Sequence, residues 1–195
     1  MAHSKKNKAE SHERIVQVAS GLFRESGING IGVDQLMKEA GLTHGGFYRH
    51  FTSKDELVGE AVERALKDGS KRAVDSISEK NQKSGLARLV DAYLSMIHRD
   101  GLNTSCAVTS LAGDVSRSNE RARTAYTKQV NDYIELLKEL MKNFDSKVKR
   151  EKAIVALSAM VGALSLSRAV NDKKLSREIL KTTARDLKIQ LEGEE

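Results

Sequence analysis

Two glycines cut the first third of this 195-residue chain into helical pieces, and their spacing constrains the fold more than any other feature. Ile15, Val18, Ala19 and Leu22 recur at the three-and-four spacing of one helix face, with Phe23 beside them. Gly27 ends that run and opens the turn Gly27-Ile28-Asn29-Gly30, since glycine tolerates the left-handed backbone that closes a helix. Ile31 returns to the core, and Val33, Leu36, Met37 and Ala40 give a short second helix stopped by Gly41. Thr43 is the expected N-cap of a third, very short helix that reaches Phe51. Ser53, with Glu56 three residues on, reads as a capping box that starts a long fourth helix. Long helix, turn, short helix, tight glycine turn, short helix is the order of a helix-turn-helix, with Leu42 filling the angle.

The rest of the chain also reads as helix. There is no proline to break a long run and aromatics are only 4% of residues, which disfavours strands. Expected helices are residues 53–78, 85–99, 106–115, 119–143, 146–170 and 176–191, for about nine in all. The expected class is therefore all-α, with three parts. Residues 1–10 form a flexible basic tail, 11–57 a three-helix domain with the helix-turn-helix, and 58–195 a larger C-terminal helical body. The fourth helix would belong to both halves and hold the hinge. Lys5, Lys6 and Lys8 make the tail either a disordered terminus or an arm that touches phosphates.

Composition narrows the classes further. The longest apolar run, residues 153–164, is too short to span a bilayer and contains Ser158. The polar N-terminus lacks the apolar core of a signal peptide, so a cytoplasmic protein is expected. One cysteine, Cys106, excludes an internal disulfide framework and a cysteine-rich zinc site, and no cofactor or metal is expected. The net charge of +6 hints at a polyanionic partner, yet the first 65 residues carry equal numbers of acids and bases. The positive face is local. No acid occurs from Thr43 to Lys54, while Arg49 and Lys54 are basic and His44 and His50 can add to them.

The string Gly41-Leu42-Thr43-His44-Gly45-Gly46-Phe47-Tyr48-Arg49-His50-Phe51, followed by Ser53-Lys54-Asp55-Glu56-Leu57, closely resembles the signature of the TetR/AcrR-type transcriptional regulators. The resemblance covers residues 11 to about 66. Gly45 and Gly46 cost about 1 kcal/mol each in helix propensity, which suggests that the backbone must come close to something. Phe47 and Phe51, four apart, face the core, whereas Tyr48 lies on another face. The resemblance implies that Tyr48 and Lys54 contact phosphates. It also implies that Thr43, His44 and Gly45 open the recognition helix, where base edges are read. Arg49 can reach a phosphate or a guanine edge, and His50 belongs to the same DNA-binding set; the rival reading is a solvated helix face.

In the C-terminal body, residues 153–170 are apolar nearly all round, so that helix must be buried on more than one side. The resemblance implies that the last two helices pair with their copies in a homodimer seam. The expected interface residues are Ala159, Gly162, Ala163, Leu166, Ile179, Thr183 and Leu187, within a stripe that includes Leu175 and Leu191; the alternative is a core of the monomer. Cys106, at the start of the sixth helix, is either a small buried apolar residue or a thiol activated by the helix N-terminus. Part of the family that it resembles senses electrophiles or oxidants with such a cysteine. An effector pocket would be lined by Tyr93, Met96, Ile97, Cys106, Val108, Leu111, Tyr126, Val130, Tyr133, Met160 and Leu164, each of which is otherwise ordinary core. His98 reads as a surface residue at a helix end.

The expected function is thus a DNA-binding repressor that holds a palindromic operator as a dimer. A small-molecule inducer or modification of Cys106 would release it. The expected partners are double-stranded DNA, a second copy and an effector. The alternative is a helical partner-binding module without sequence-specific DNA binding. An enzyme is disfavoured because the chain has no GxSxG, HExxH or P-loop, and no cysteine beside a conspicuous histidine.

Overall fold

The computed structural model of the chain describes residues 2–78, 83–141 and 144–192. Among these there are ten α-helices, two 3-10 helices and no strand. The α-helices are α1 (Ala2–Ser26), α2 (Val33–Glu39), α3 (Lys54–Ser78), α4 (Gly85–Tyr93), α5 (Met96–Asp100), α6 (Ala107–Ser110), α7 (Ala112–Val115), α8 (Glu120–Leu140), α9 (Ser146–Ala169) and α10 (Lys173–Glu192). The 3-10 helices are His44–Arg49 and Leu102–Thr104. The chain forms two compact units, and the division within α3 falls between Asp68 and Gly69. The first unit runs to Asp68 and includes Leu102–Tyr126; the second holds Gly69–Gly101 and Thr127 onward.

In the first unit the expected apolar faces converge. Ile15, Ala19 and Phe23 of α1, Leu36 and Met37 of α2, and Phe47, Phe51 and Leu57 are all buried. The Phe47 and Phe51 rings lie 5.4 Å apart between centroids. Burial of each such ring contributes about 2 kcal/mol, near the middle of the range for a large apolar side chain. Gly27 and Gly41 have φ of +77° and +69°, the left-handed backbone that their stop positions demand. A Cβ on Gly30 would collide with the Ser26 carbonyl, which fixes the turn after α1.

Several boundaries differ from the expectation, each for a local reason. Residues 2–10, read as a flexible tail, continue α1; the segment holds two alanines and three lysines and has no glycine or proline to stop it. The third helix is a 3-10 turn, with Gly46 N–H donating to the Thr43 carbonyl at 2.9 Å. Two adjacent glycines supply too little helix propensity for α geometry there. Thr43 occupies the N-cap position, but its side chain makes no capping bond. The expected helix 85–99 breaks because Ser95 starts a new one, its hydroxyl accepting from His98 N–H at 3.1 Å. The helix 106–115 divides at Leu111, where the backbone leaves helical geometry. Asn143, the expected end of the helix 119–143, lies outside the described residues.

In the second unit α9 packs along α10 and touches α5. Ala153, Ala156, Leu157, Met160, Ala163, Leu164 and Ser167 form its buried side. At 24 residues α9 is, contrary to expectation, long and apolar enough to cross a membrane by length and composition. The reason is that its apolar residues serve a buried face and also continue round the exposed one. Asp91 joins α4 to α10 through Lys188 at 2.6 Å, with Lys83 on its other oxygen at 2.6 Å. Burial opposes the Asp91 carboxylate, but the two lysines together hold its pKa below the usual value.

Candidate DNA-binding interface

The 3-10 turn His44–Arg49 rests on α2 through its buried Phe47 and turns its other side to solvent. Thr43, His44, Gly45, Tyr48 and Arg49 are exposed, Tyr48 at 68%. A Cβ added to Gly45 would meet nothing in the chain within 4 Å. A Cβ on Gly46 would lie 3.5 Å from the Met37 methyl, so Gly46 sits against α2 and Gly45 faces outward. The two glycines therefore serve different neighbours, a distinction that sequence spacing does not give.

Three of the expected DNA-binding residues, Lys54, His44 and His50, are tied to neighbouring elements. Lys54 is half-buried, and its ammonium donates to the Ile31 carbonyl at 2.8 Å, holding the turn before α2. Two of its three N–H groups remain for another acceptor. His44 Nδ1 contacts the Asp34 carboxylate of α2, an acid that the local count from Thr43 to Lys54 does not include. His50 is half-buried beside α1, its ring centroid 6.0 Å from that of His12 and 6.4 Å from that of Phe51. Its Nδ1 is buried with no hydrogen-bond partner. Burial first, then the charges of His12, Lys8 and Arg49, keep the His50 pKa below its ordinary value.

His12 is the residue that sequence reasoning missed. Its ring stacks on Phe51 at 4.5 Å, and its Nε2 lies 2.7 Å from the Glu60 carboxylate of α3. No local signal marks it, because its partners Phe51 and Glu60 lie far along the chain, Glu60 at a separation of 48 residues. Below the recognition turn, Glu56 N–H donates to the Ser53 hydroxyl at 3.2 Å. The Glu56 carboxylate in turn accepts from Thr52 N–H at 2.6 Å and the Thr52 hydroxyl at 2.7 Å, which lowers its pKa. This is the expected capping box, with the carboxylate bonded one residue further back.

The expected effector residues fall in both units. Cys106, Val108, Leu111 and Tyr126 belong to the first, and Tyr93, Met96, Ile97, Val130, Tyr133, Met160 and Leu164 to the second. Ile97 is 87% exposed and cannot line a packed interior. Cys106, Val108, Leu111, Tyr133, Met160 and Leu164 are buried; Tyr93, Met96, Tyr126 and Val130 are half-buried. Cys106 precedes α6, a helix of a single turn whose summed dipole is small. The Tyr126 hydroxyl donates to the Val108 carbonyl at 2.6 Å, and burial, aided by Cys106, pushes its pKa up to about 12. His98, read from the sequence as a surface residue, is half-buried. Its Nδ1 lies 2.7 Å from the Tyr93 carbonyl, its ring stands edge-on to Tyr93, and burial lowers its pKa. Among the described residues no three metal-ligating side chains gather.

Of the expected seam residues, Ala163 and Leu187 are buried within the protomer, as is Leu191 of the same stripe. Leu166 is 58% exposed, and Ala159, Gly162, Ile179 and Thr183 are half-buried. Val155 of α9, not foreseen, is also exposed, and a Cβ on Gly162 meets nothing within 4 Å.

A buried three-element core carrying an exposed, glycine-opened recognition turn defines a helix-turn-helix DNA-binding domain on an all-helical body. Residues 15–61 match the family model described as bacterial regulatory proteins, tetR family. The N-terminal domain is thus similar to that of the tetR family, and the chain as a whole shares the fold of solved TetR regulators. It is 23% identical over 142 residues to the HTH-type transcriptional repressor NemR of Escherichia coli (strain K12), a match covering 72% of this chain and 71% of that one. An HTH-type transcriptional regulator of Staphylococcus aureus (strain USA300) is 36% identical over 62 residues, 32% of this chain and 34% of its own length. Among solved structures, a TetR transcriptional regulator from Chloroflexus aurantiacus superposes with a TM-score of 0.79 at 22% identity, covering 96% of this chain and 98% of that one. The reduced form of E. coli NemR superposes with a TM-score of 0.73 at 20% identity, covering 92% and 95%.

Proposed function

We propose that the chain is a cytoplasmic repressor that binds a palindromic operator as a homodimer, and that a small-molecule effector or modification of Cys106 releases it. The observation that carries the DNA reading is the division of labour in the recognition turn. Phe47 is buried and anchors it, while Gly45, Tyr48 and Arg49 stand out in solvent where a groove can receive them. Thr43, His44 and Gly45 read base edges; Tyr48, Arg49, His50 and Lys54 meet phosphates, which position without reading sequence. Lys54 does so while still tied to the Ile31 carbonyl, so it joins DNA contact to the seating of α2.

The apolar stripe of α9, exposed at Val155 and Leu166 and half-buried at Ala159 and Gly162, supports a second copy as partner, with Ile179 and Thr183 of α10 beside it. A twofold pair places two recognition turns about one helical turn of DNA apart. NemR is named a repressor and is known in a reduced form, which supports repression and a thiol-dependent state here. An effector releases DNA only through a difference in its affinity for the two states. The test is selection of bound sequences from a random duplex pool, repeated with protein treated with a thiol-reactive electrophile. The expected result is a palindrome whose recovery falls after treatment in the native chain and not in Cys106→Ser. Recovery of no sequence, or a non-palindromic half-site alone, overturns the dimeric-operator reading; an unchanged selection removes the cysteine switch.

A further inference from the structure

We propose that Lys8, Arg49 and His50 form one phosphate-binding cluster at the edge of the recognition turn, and that seating a DNA phosphate there is coupled to protonation of His50. The proposal rests on the DNA-binding reading above and adds to it a residue of α1 and a proton.

The geometry begins with α1 running back to Ala2, which turns a nominal tail into a helical arm. Lys8 and His12 are four apart on that helix and so share a face. His12 sits 6.0 Å from His50 and stacks on Phe51, so the face that carries Lys8 is the one turned to the end of the recognition turn. Arg49 is the chain neighbour of His50 at the end of the turn, and Lys8 and Arg49 are both exposed. The charges of Lys8, Arg49 and His12 all act on His50.

The acids nearby are already engaged. Glu60 of α3 is bonded to His12 at 2.7 Å and lies 3.7 Å from Arg121 of α8. Glu56 of α3 is held by Thr52. Asp34 of α2 is spent on His44. The His50 imidazole thus has a buried Nδ1 that bonds to nothing, and burial together with the neighbouring cations holds its pKa below the ordinary value. A phosphate placed between Lys8 and Arg49 reverses the sign of the local field. The imidazole then takes a proton from solvent, and the imidazolium becomes a third cation toward the phosphate. By linkage, affinity for DNA rises as pH falls through the interval between the free and bound pKa values, by at most about tenfold per pH unit for each proton taken up.

The experiment is a titration of a fluorescently labelled random-sequence duplex at fixed ionic strength. Phosphate contacts do not depend on sequence, so no operator is needed. Expected is binding about three- to thirtyfold tighter near pH 6 than near pH 8. His50→Gln flattens that dependence. Lys8→Met, at an exposed site with no role in the core, weakens binding, lowers the salt slope by about one phosphate and shrinks the pH dependence. His44→Gln leaves the pH dependence in place. Duplex binding with no pH dependence, or a dependence that survives His50→Gln or vanishes with His44→Gln, overturns the cluster and leaves the DNA reading standing. Absence of any salt-sensitive duplex binding overturns both.

Discussion

Gly45 and Gly41 sit four residues apart and answer to different constraints. Gly41 needs its left-handed φ of +69°, so Gly41→Ala costs the fold about 1 kcal/mol or more, read as a lower denaturant midpoint. Gly45 has open space at its Cβ position, so Gly45→Ala leaves the midpoint unchanged or slightly raised and weakens duplex binding instead. Equal loss of stability in both variants would show that Gly45 serves the protein and not the groove. At Tyr126 the prediction concerns pH. Its pKa is raised from the usual tyrosine value to about 12 in the folded chain, so folding favours the protonated phenol. That contribution is complete below about pH 10 and is lost as pH rises through about 12. An alkaline titration followed by the phenolate absorbance should show a late-titrating tyrosine that Tyr126→Phe removes. A single common transition for all the tyrosines would contradict this.

Among the elements, the order of the N-terminal helices was legible because each boundary is written in local chemistry. Gly27 and Gly41 stop helices, Ser53 with Glu56 starts α3, and Asn119 starts α8 by accepting from Ala122 N–H at 3.0 Å. Ser53→Ala should therefore destabilise the chain by about 1 kcal/mol in equilibrium unfolding, and no loss would mean that Glu56 and Thr52 suffice alone. The 3-10 form of the recognition turn was not legible, because two glycines weaken α geometry without saying what replaces it. Nor was the break at Ser95, since a serine inside an apolar pattern reads as an exposed position until its hydroxyl is seen to cap His98. The site was legible as a string and not as a surface. Thr43, Tyr48 and Arg49 stand exposed as the pattern suggests, but the partners of His44, His50 and Lys54 come from α2, α1 and the turn before α2. Contacts of that kind depend on the packing of helices and leave no trace in spacing.

For the whole molecule, the apolar character of α9 has two readers. One side fills the protomer through Leu157, Met160 and Leu164, while Val155 and Leu166 remain exposed. Leu166→Glu should leave the protomer folded and shift its sedimentation from dimer to monomer, with operator affinity falling alongside; a variant that remains dimeric places the seam elsewhere. Two recognition turns carried by one dimer are the central claim. It is tested most directly by hydroxyl-radical footprinting on the duplex recovered from the random pool. Two protected tracts on one face of the helix, with centres about one turn apart or a whole multiple of it, are the predicted result. A single protected tract, or two tracts on opposite faces, would contradict it.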